Sequence, residues 1–428
     1  MSELNLIPRP SYVAALDRHR KSANHLDKIK IITGIRRCGK SKLLDIYQDK
    51  LRKEGVKDSD IIVVRLEERE NQRLKDGNIL HNYILEKTAE SKLAYVFLDE
   101  VQLVSDFADI INSLRMRENI DLYCAGSNSS LLSQNLSRIL GGRYISIYMF
   151  PLSFKEYISG FPKNQSISPT IDEIFKDYLE QSSFPEVLSY YTESRLDAAD
   201  LDRGWNFAGV REYLDAIYKD ILIDVMQHDG VKELPQLDRV IRFLFSNVGS
   251  QSSINNMLGV INNEFKLKPQ DKNMYAPILE TYINALLDSF VFYKANVQQF
   301  GKNLLRATAK YYAVDVGLRY FLLGGNAMTD AGHILENVVY LELLRRGYKV
   351  EIGKIGDIEV DFVATLPGGK AEYYQVSQSV LAEETLSREL ASLEKLKDNH
   401  PKFLLSRDYG NQNYKGIQHV NVLEWLLK

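Results

Sequence analysis

Short apolar runs alternate with helical periodicity along the first third of the chain. Ile29–Thr33 is a β-branched run, Gly34–Ser41 a glycine-bounded stretch, and Lys42–Arg52 carries apolar side chains at helical spacing. The order is strand, glycine loop, helix. Further strands are predicted at Ile61–Leu66, Leu93–Leu98, Ile120–Ala125 and Tyr144–Met149, with helices at Leu80–Ala89 and near Phe107–Arg117. Strands and helices alternating at this spacing predict an α/β fold, a parallel sheet with helices on both faces.

From Ile171 to about Gln227 the pattern turns helical, with a 3.6-like period through Phe207–Val225. Leu234–Val248 and Thr281–Val291 also read as helices, with a shorter one near Ile254–Val260, so a helical middle domain follows the sheet. Beyond Lys302 the texture changes again. Tyr311–Val314 is strand-like, Ile334–Arg346 is a strong amphipathic helix, and Ile358–Thr365 and Glu372–Ser377 alternate as strands, which predicts a second α/β domain.

Composition narrows the class. A chain of 428 residues holds two to four domains at ordinary domain size. With 45% hydrophobic and 26% charged residues it is neither disordered nor fibrous. Lys and Arg number 54 against 57 Asp and Glu, a net charge of −3, so any contact with DNA is regional rather than a coat of bulk charge. Two cysteines, Cys38 and Cys124, are too few for a disulfide scaffold or a four-thiolate zinc site and suit a reducing compartment, the cytoplasm. No signal-peptide pattern and no apolar run of about 20 residues is present, so no membrane association is expected. The seven histidines show no i, i+4 pair, and no Gly-x-Ser-x-Gly elbow occurs.

The chemistry concentrates at Gly34-x-x-x-x-Gly39-Lys40-Ser41, a P-loop. Its glycines let successive backbone N–H groups turn inward around phosphates, and the helix that follows adds its positive end. Gly34, Arg36, Arg37, Cys38, Gly39, Lys40, Ser41 and Lys42 are therefore expected to line the nucleotide. Lys40 is expected to reach the β and γ phosphates, and Ser41 to ligate Mg²⁺. The run Tyr95-Val-Phe-Leu-Asp99-Glu100 ends a buried strand on two carboxylates, at the sheet edge where ligands of open α/β sheets bind. Asp99 is placed to hold the metal shell and Glu100 to orient and polarise water. At the end of Asp121–Gly126, Asn128 or Ser127 is placed to sense the γ-phosphate or its water, or to cap the next helix. Arg143, after Gly141-Gly142, is a candidate arginine finger for a neighbouring subunit, or an ordinary turn residue.

Taken together, Gly-Ile-Arg-Arg-Cys-Gly-Lys-Ser, Val-Phe-Leu-Asp-Glu-Val-Gln, Gly-Ser-Asn-Ser-Ser-Leu-Leu and Gly-Gly-Arg-Tyr…Phe-Pro-Leu-Ser-Phe-Lys-Glu-Tyr resemble the prokaryotic AAA-type ATPases with a C-terminal DUF4143 region. The resemblance continues through Phe184-Pro-Glu-Val187, Lys310–Gly317 and Leu335–Tyr340. It implies a P-loop ATPase core over 1–160, a helical extension over 161–230, a winged-helix-like domain over 231–300, and a PD-(D/E)xK nuclease-like domain over 301–428. ATP with Mg²⁺ is the cofactor pair it implies.

Nuclease chemistry of that kind needs acidic metal ligands and a lysine that positions water. Glu336 and Asp361 are the candidate acids, but the third element reads Gln375-Val376-Ser377, a neutral ligand and no ammonium. An inactive, nuclease-like interaction domain is the expectation. In the helical middle, Ser252–Ile261 and the helix after it are spaced like a helix-turn-helix, with Arg239, Arg242, Lys266 and Lys268 alongside. Lys302, Arg306, Lys310 and Arg319, interleaved with Tyr311 and Tyr312, make either a nucleic-acid face or a solvated strand edge. The leading reading is a Mg²⁺-dependent ATPase, able to form homo-oligomers, whose nucleotide state acts on an interaction domain related to nucleic acid. The alternative is a DNA-binding or DNA-cleaving module in which nucleotide is regulatory.

Overall fold

The computed structural model describes residues 7–127, 134–161, 169–191, 201–202, 205–228, 230–264, 274–299, 308–324 and 330–428. The chain forms two compact units, Met1–Pro151 with Asp288–Phe290, and Leu152–Leu287 with Val291–Lys428.

In the first unit, β1 (Ile29–Thr33), β2 (Ile61–Arg65), β3 (Ala94–Asp99), β4 (Ile120–Gly126) and β5 (Tyr144–Tyr148) form one parallel sheet in the order β2-β3-β4-β1-β5. Helices α1 (Pro10–Arg20), α2 (Lys40–Lys53), α3 (Gly77–Thr88), α4 (Phe107–Arg115) and α5 (Gln134–Leu140) accompany it. Every residue of β1, β3 and β4 is buried. That is the signature of strands covered on both faces, and it explains their near-continuous apolar runs. Ile29, Ile31, Val96, Leu98, Leu122 and Cys124 form one core with Leu80 and Ile84 of α3 and Ile111 and Leu114 of α4. Lys30 breaks the run in sequence only. Its ammonium, fully buried, pairs with Asp121 across the β1–β4 ladder and donates to the His25 carbonyl at 2.7 Å, while the Tyr123 hydroxyl donates to Asp121 at 2.9 Å. A buried pair with its remaining valences filled keeps one register, since a slip would strand both charges.

The second unit begins with α6 (Phe154–Gly160), α7 (Ile171–Gln181), the strand pair β6 (Leu201–Asp202) and β7 (Trp205–Asn206), and helices α8 (Phe207–Met226), α9 (Leu234–Ser246), α10 (Ile254–Glu264) and α11 (Ala276–Asp288). Then come β8 (Phe292–Gln299), β9 (Ala309–Ala313), α12 (Val316–Leu323) and α13 (Ala331–Arg345). The remainder is β10 (Lys349–Ile355), β11 (Ile358–Thr365), β12 (Ala371–Val376), α14 (Glu383–Glu394), β13 (Lys402–Ser406), β14 (Gln412–Tyr414), β15 (Ile417–Asn421) and α15 (Val422–Leu427). The strands build a mixed eight-stranded sheet in the order β14-β15-β13-β12-β11-β10-β8-β9. Its core on the α14 side joins Val360, Val363, Tyr373 and Leu404 to Leu393 and Leu396. At the joint of α7 and α12, Asp315 caps α12 by accepting from Leu318 N at 2.6 Å and also accepts from Ser183 N at 2.7 Å. A Cβ on Gly317 would meet Ser182 N at 2.2 Å, so only glycine fits there.

Two sequence expectations are revised here. The helix expected at Thr281–Val291 runs Ala276–Asp288. The segment read as either a nucleic-acid face or a solvated strand edge turns inward: Lys310, Tyr311, Tyr312 and Arg319 are all buried, and Arg319 donates to the Phe245 carbonyl at 2.8 Å. Lys302 and Arg306 lie outside the described residues, as do Lys266 and Lys268.

Candidate nucleotide-binding site

The site forms where β1 ends. Gly34 follows the strand with the Met149 carbonyl so close that an added Cβ would lie 2.0 Å from it, so any larger residue would push β5's continuation off the loop. Arg37, at φ 65°, and Gly39, at φ 103°, carry the chain through left-handed turns. Cys38 between them is buried, and burial pushes its thiol up, which keeps it an inert packing group. Helix α2 starts at Lys40, and no side chain caps its N-terminus. Its first N–H groups have no intrahelical partner, and with the helix dipole they make a site for anionic oxygen.

Lys40 is buried, and its ammonium donates to the carbonyls of Gly34 at 2.9 Å and Ile35 at 3.1 Å, folding back over the mouth of the loop. Arg36 pairs with Glu67 at 2.9 Å, and Lys42 lies 3.6 Å from Asp45. Asp99, at the end of β3, is 6% exposed and hydrogen-bonded by Ser41. Burial pushes its carboxyl up, against the opposing pull of that bond and of Lys40, with Glu100 adding to the rise. Its Oδ1 is buried without a hydrogen-bond partner among the described residues. A carboxylate oxygen orphaned beside a serine hydroxyl, at the foot of an anion site, fits a hard cation such as Mg²⁺, which takes oxygen ligands and favours the ionised acid.

Glu100 follows with a left-handed backbone, φ 55°, unusual for a residue with a side chain. Its Oε2 accepts from Ser127 N at 3.3 Å and Ser127 Oγ at 3.2 Å, and from Gln102. The glutamate is thus held by the end of the neighbouring strand β4. Asn128 lies outside the described residues. Arg65 was not singled out in the sequence: it closes β2, pairs in register with Asp99, and bonds Asp45 of α2 at 2.7 Å. The signal for it was its place as the last residue of a strand bordering the Asp99 strand.

Arg143 stands at the other end of the sheet. Its carbonyl accepts from Ile29 N at 3.2 Å, so it flanks the start of β1, whereas the phosphate loop follows the end. Four strand steps, roughly 13 Å, separate the two levels. It borders a groove of about 660 Å³ with Asn24, His25, Asp27, Arg115 and Arg117. Arg143 lies 3.8 Å from Asp27, with both side chains more than half exposed.

In the second unit, Glu336 of α13 and Asp361 of β11 face a cation of the chain itself. The Lys310 ammonium lies 2.8 Å from Glu336 and 2.6 Å from Glu359, and the Tyr312 hydroxyl donates to Glu336 at 2.5 Å. Asp361 accepts from Val376 N at 2.8 Å, and burial pushes its carboxyl well up, with Glu336 adding to the rise and Lys310 opposing it. Gln375 turns aside, donating to Glu389 at 2.8 Å and accepting from Asp361 N at 3.3 Å. Among the described residues no group of three or more His, Cys, Asp or Glu is arranged to hold a metal ion, and no helix is long and apolar enough to cross a membrane.

A five-stranded parallel sheet with a phosphate loop after an inner strand, β1, and an Asp-Glu pair ending the strand beyond the next defines a P-loop NTPase core of the AAA type. Residues 26–158 match the family described as an AAA domain, and residues 172–329 match a domain of unknown function, DUF8612. The chain is 33% identical, over 99% of both lengths, to an uncharacterized protein of Haemophilus influenzae, and it belongs to the family of that protein. It is 28% identical, over 86% of this chain and 78% of the relative, to the uncharacterized protein MJ1544 of Methanocaldococcus jannaschii. Among solved structures, the ORC2 protein of Aeropyrum pernix in ADPNP and ADP complexes aligns over 79% of this chain and 95% of its own, with 10% identity and a TM-score of 0.45. The ORC1 protein of Aeropyrum pernix in complex with DNA aligns over 76% and 93%, with 11% identity and a TM-score of 0.35.

Proposed function

We propose that the protein binds ATP with Mg²⁺ at the Gly34–Ser41 loop and hydrolyses it by in-line attack of water on the γ-phosphate. One observation carries the reading: a helix N-terminus that starts on Gly39 stands beside a buried carboxylate oxygen with no hydrogen-bond partner among the described residues. Lys40 exchanges its two carbonyl partners for phosphate oxygens. Ser41 and Asp99 hold the ion, which when bound neutralises charge on the transferring phosphoryl group. Glu100, released from Ser127 and Gln102, orients the attacking water. Arg143, remote from its own loop, serves a neighbouring copy's γ-phosphate, so the working form is a homo-oligomer in the cytoplasm.

The second unit is read as the interaction domain on which nucleotide state acts. Helices α9, α10 and α11 followed by the antiparallel pair β8–β9 have the order of a winged helix, which supports a nucleic-acid partner. The DUF4143-type, nuclease-like reading of the last segment rests on Glu336, Asp361 and Gln375. Lys310 weighs against cleavage there, because its ammonium already neutralises the acids a metal would need.

Calorimetry of the full chain with Mg-ATP tests the assignment. Wild type binds and turns over ATP, Lys40→Ala loses binding, and Glu100→Gln binds normally but hydrolyses roughly 100-fold more slowly. Unchanged turnover in Lys40→Ala would remove the assignment.

A further inference from the structure

Arg9 enters the phosphate loop from outside it. It lies between Pro8 and Pro10, and Pro10 at the first position of α1 bars Arg9 from helical backbone and holds it at φ −116°, ψ 65°. The side chain is 4% exposed. Its guanidinium lies 4.8 Å over the Tyr12 ring, and the Tyr12 hydroxyl accepts from Phe150 N at 3.2 Å. From that seat one nitrogen donates to the Cys38 carbonyl at 3.1 Å and another to the Phe150 carbonyl at 2.8 Å. The charge is therefore buried against carbonyls, one of them inside the loop.

The Cys38 bond matters because of what the peptide plane does next. In a trans peptide the carbonyl of Cys38 and the N–H of Gly39 point in opposite directions. Gly39, with no Cβ and φ 103°, tolerates either orientation of that peptide. The thiol of Cys38 is buried and its N–H donates to the Ile35 carbonyl at 3.3 Å, so the rest of the residue is already fixed. One freedom is left, and a cation on one side of the plane removes it.

We propose that Arg9 is a positioning residue of the phosphate loop: by holding the Cys38 carbonyl it turns the Gly39 N–H away from itself and toward the bound phosphates. The inference rests on the nucleotide reading of the loop. Arg9 touches no phosphate. Its contribution is to preset a donor that glycine alone would leave free to flip, and preorganised donors bind without reorganising.

The test uses the full chain with Arg9→Met, Arg9→Lys and Arg9→Gly, binding Mg-ATP by calorimetry at a temperature where circular dichroism shows each variant folded. Arg9→Met is expected to weaken Mg-ATP roughly ten- to hundredfold, as loss of charge-assisted hydrogen bonds implies, with the change in KM rather than kcat. Arg9→Lys, whose single ammonium cannot serve both carbonyls, falls between. Guanidinium ion at low millimolar concentration restores affinity to Arg9→Gly and leaves wild type unchanged, a readout that a purely stabilising arginine would not give. If wild type binds and the folded Met, Lys and Gly variants bind within about twofold of it, the inference is overturned; if wild type itself takes up no Mg-ATP, the nucleotide reading beneath it fails instead. Should Arg9→Met not fold, Arg9→Lys and the rescue of Arg9→Gly decide.

Discussion

Lys310 illustrates how one residue's partners decide its meaning. In sequence it sits among Lys302, Arg306 and Arg319 and reads as part of a basic rim, because lysine is seldom buried. Its acids lie on other elements, Glu336 in α13 and Glu359 in β11, and separations of that length leave no mark in local pattern. Replacing Lys310 with Met leaves buried carboxylates uncompensated, and a loss of about 3–5 kcal/mol in urea unfolding is expected. A loss under about 1 kcal/mol would mean the acids simply take up protons. By contrast, the mismatch at Gln375 and Ser377 was readable directly, since those two residue types lack the required charge whatever their surroundings. The phosphate loop was readable for the same reason: its glycines, Lys40 and Ser41 are fixed by local chemistry. The tie between Glu100 and Ser127 joins two strand ends, and only the sheet order brings them together.

Among the elements, β1, β3 and β4 were legible as near-continuous apolar runs, while α1 was not. Its buried residues are Tyr12 and Leu16 alone, too few for a periodic stripe. Polar contacts hold it instead. Asp17 accepts from Lys21 at 2.8 Å and lies 2.5 Å from Lys50 of α2. Burial pushes the Asp17 carboxyl up, but hydrogen bonds from Lys21, Lys50 and Arg20 outweigh it and hold the group well below its usual 3.8. A carboxyl lowered in the folded state contributes stability above the unfolded value and loses it as pH falls through the folded one. Asp17→Asn is therefore expected to be less stable than wild type at pH 6, with the two unfolding curves converging as pH drops below about 3.8. A constant difference down to pH 2 would show that Asp17 is not held this way. β8 carries a strand signal in sequence, Lys294, Asn296 and Gln298 alternating with Ala295 and Val297, that the sequence expectations did not include.

For the whole molecule, the parallel sheet puts the loop and Arg143 at opposite ends of the same strands, so the arginine lies away from the loop of its own chain. The expected consequence is kinetic. ATPase rate per chain rises with protein concentration in wild type, and Arg143→Ala lowers the rate at high concentration while leaving Mg-ATP affinity unchanged. Equal rates per chain across a wide dilution series would disprove service in trans. In sequence Arg143 read only as a candidate finger in trans or a turn residue, and its place relative to the loop emerged with the register of β1 against β5.

That register also bears on synthesis. The strand that presents the loop leaves the ribosome first of the five, yet its two neighbours are β4 and β5, the last to appear. Until translation has passed Gly126, β1 has no edge to join, and its apolar side chains stay open for the seconds that elongation requires. A nascent chain halted before that residue carries every letter of the loop and none of its grip.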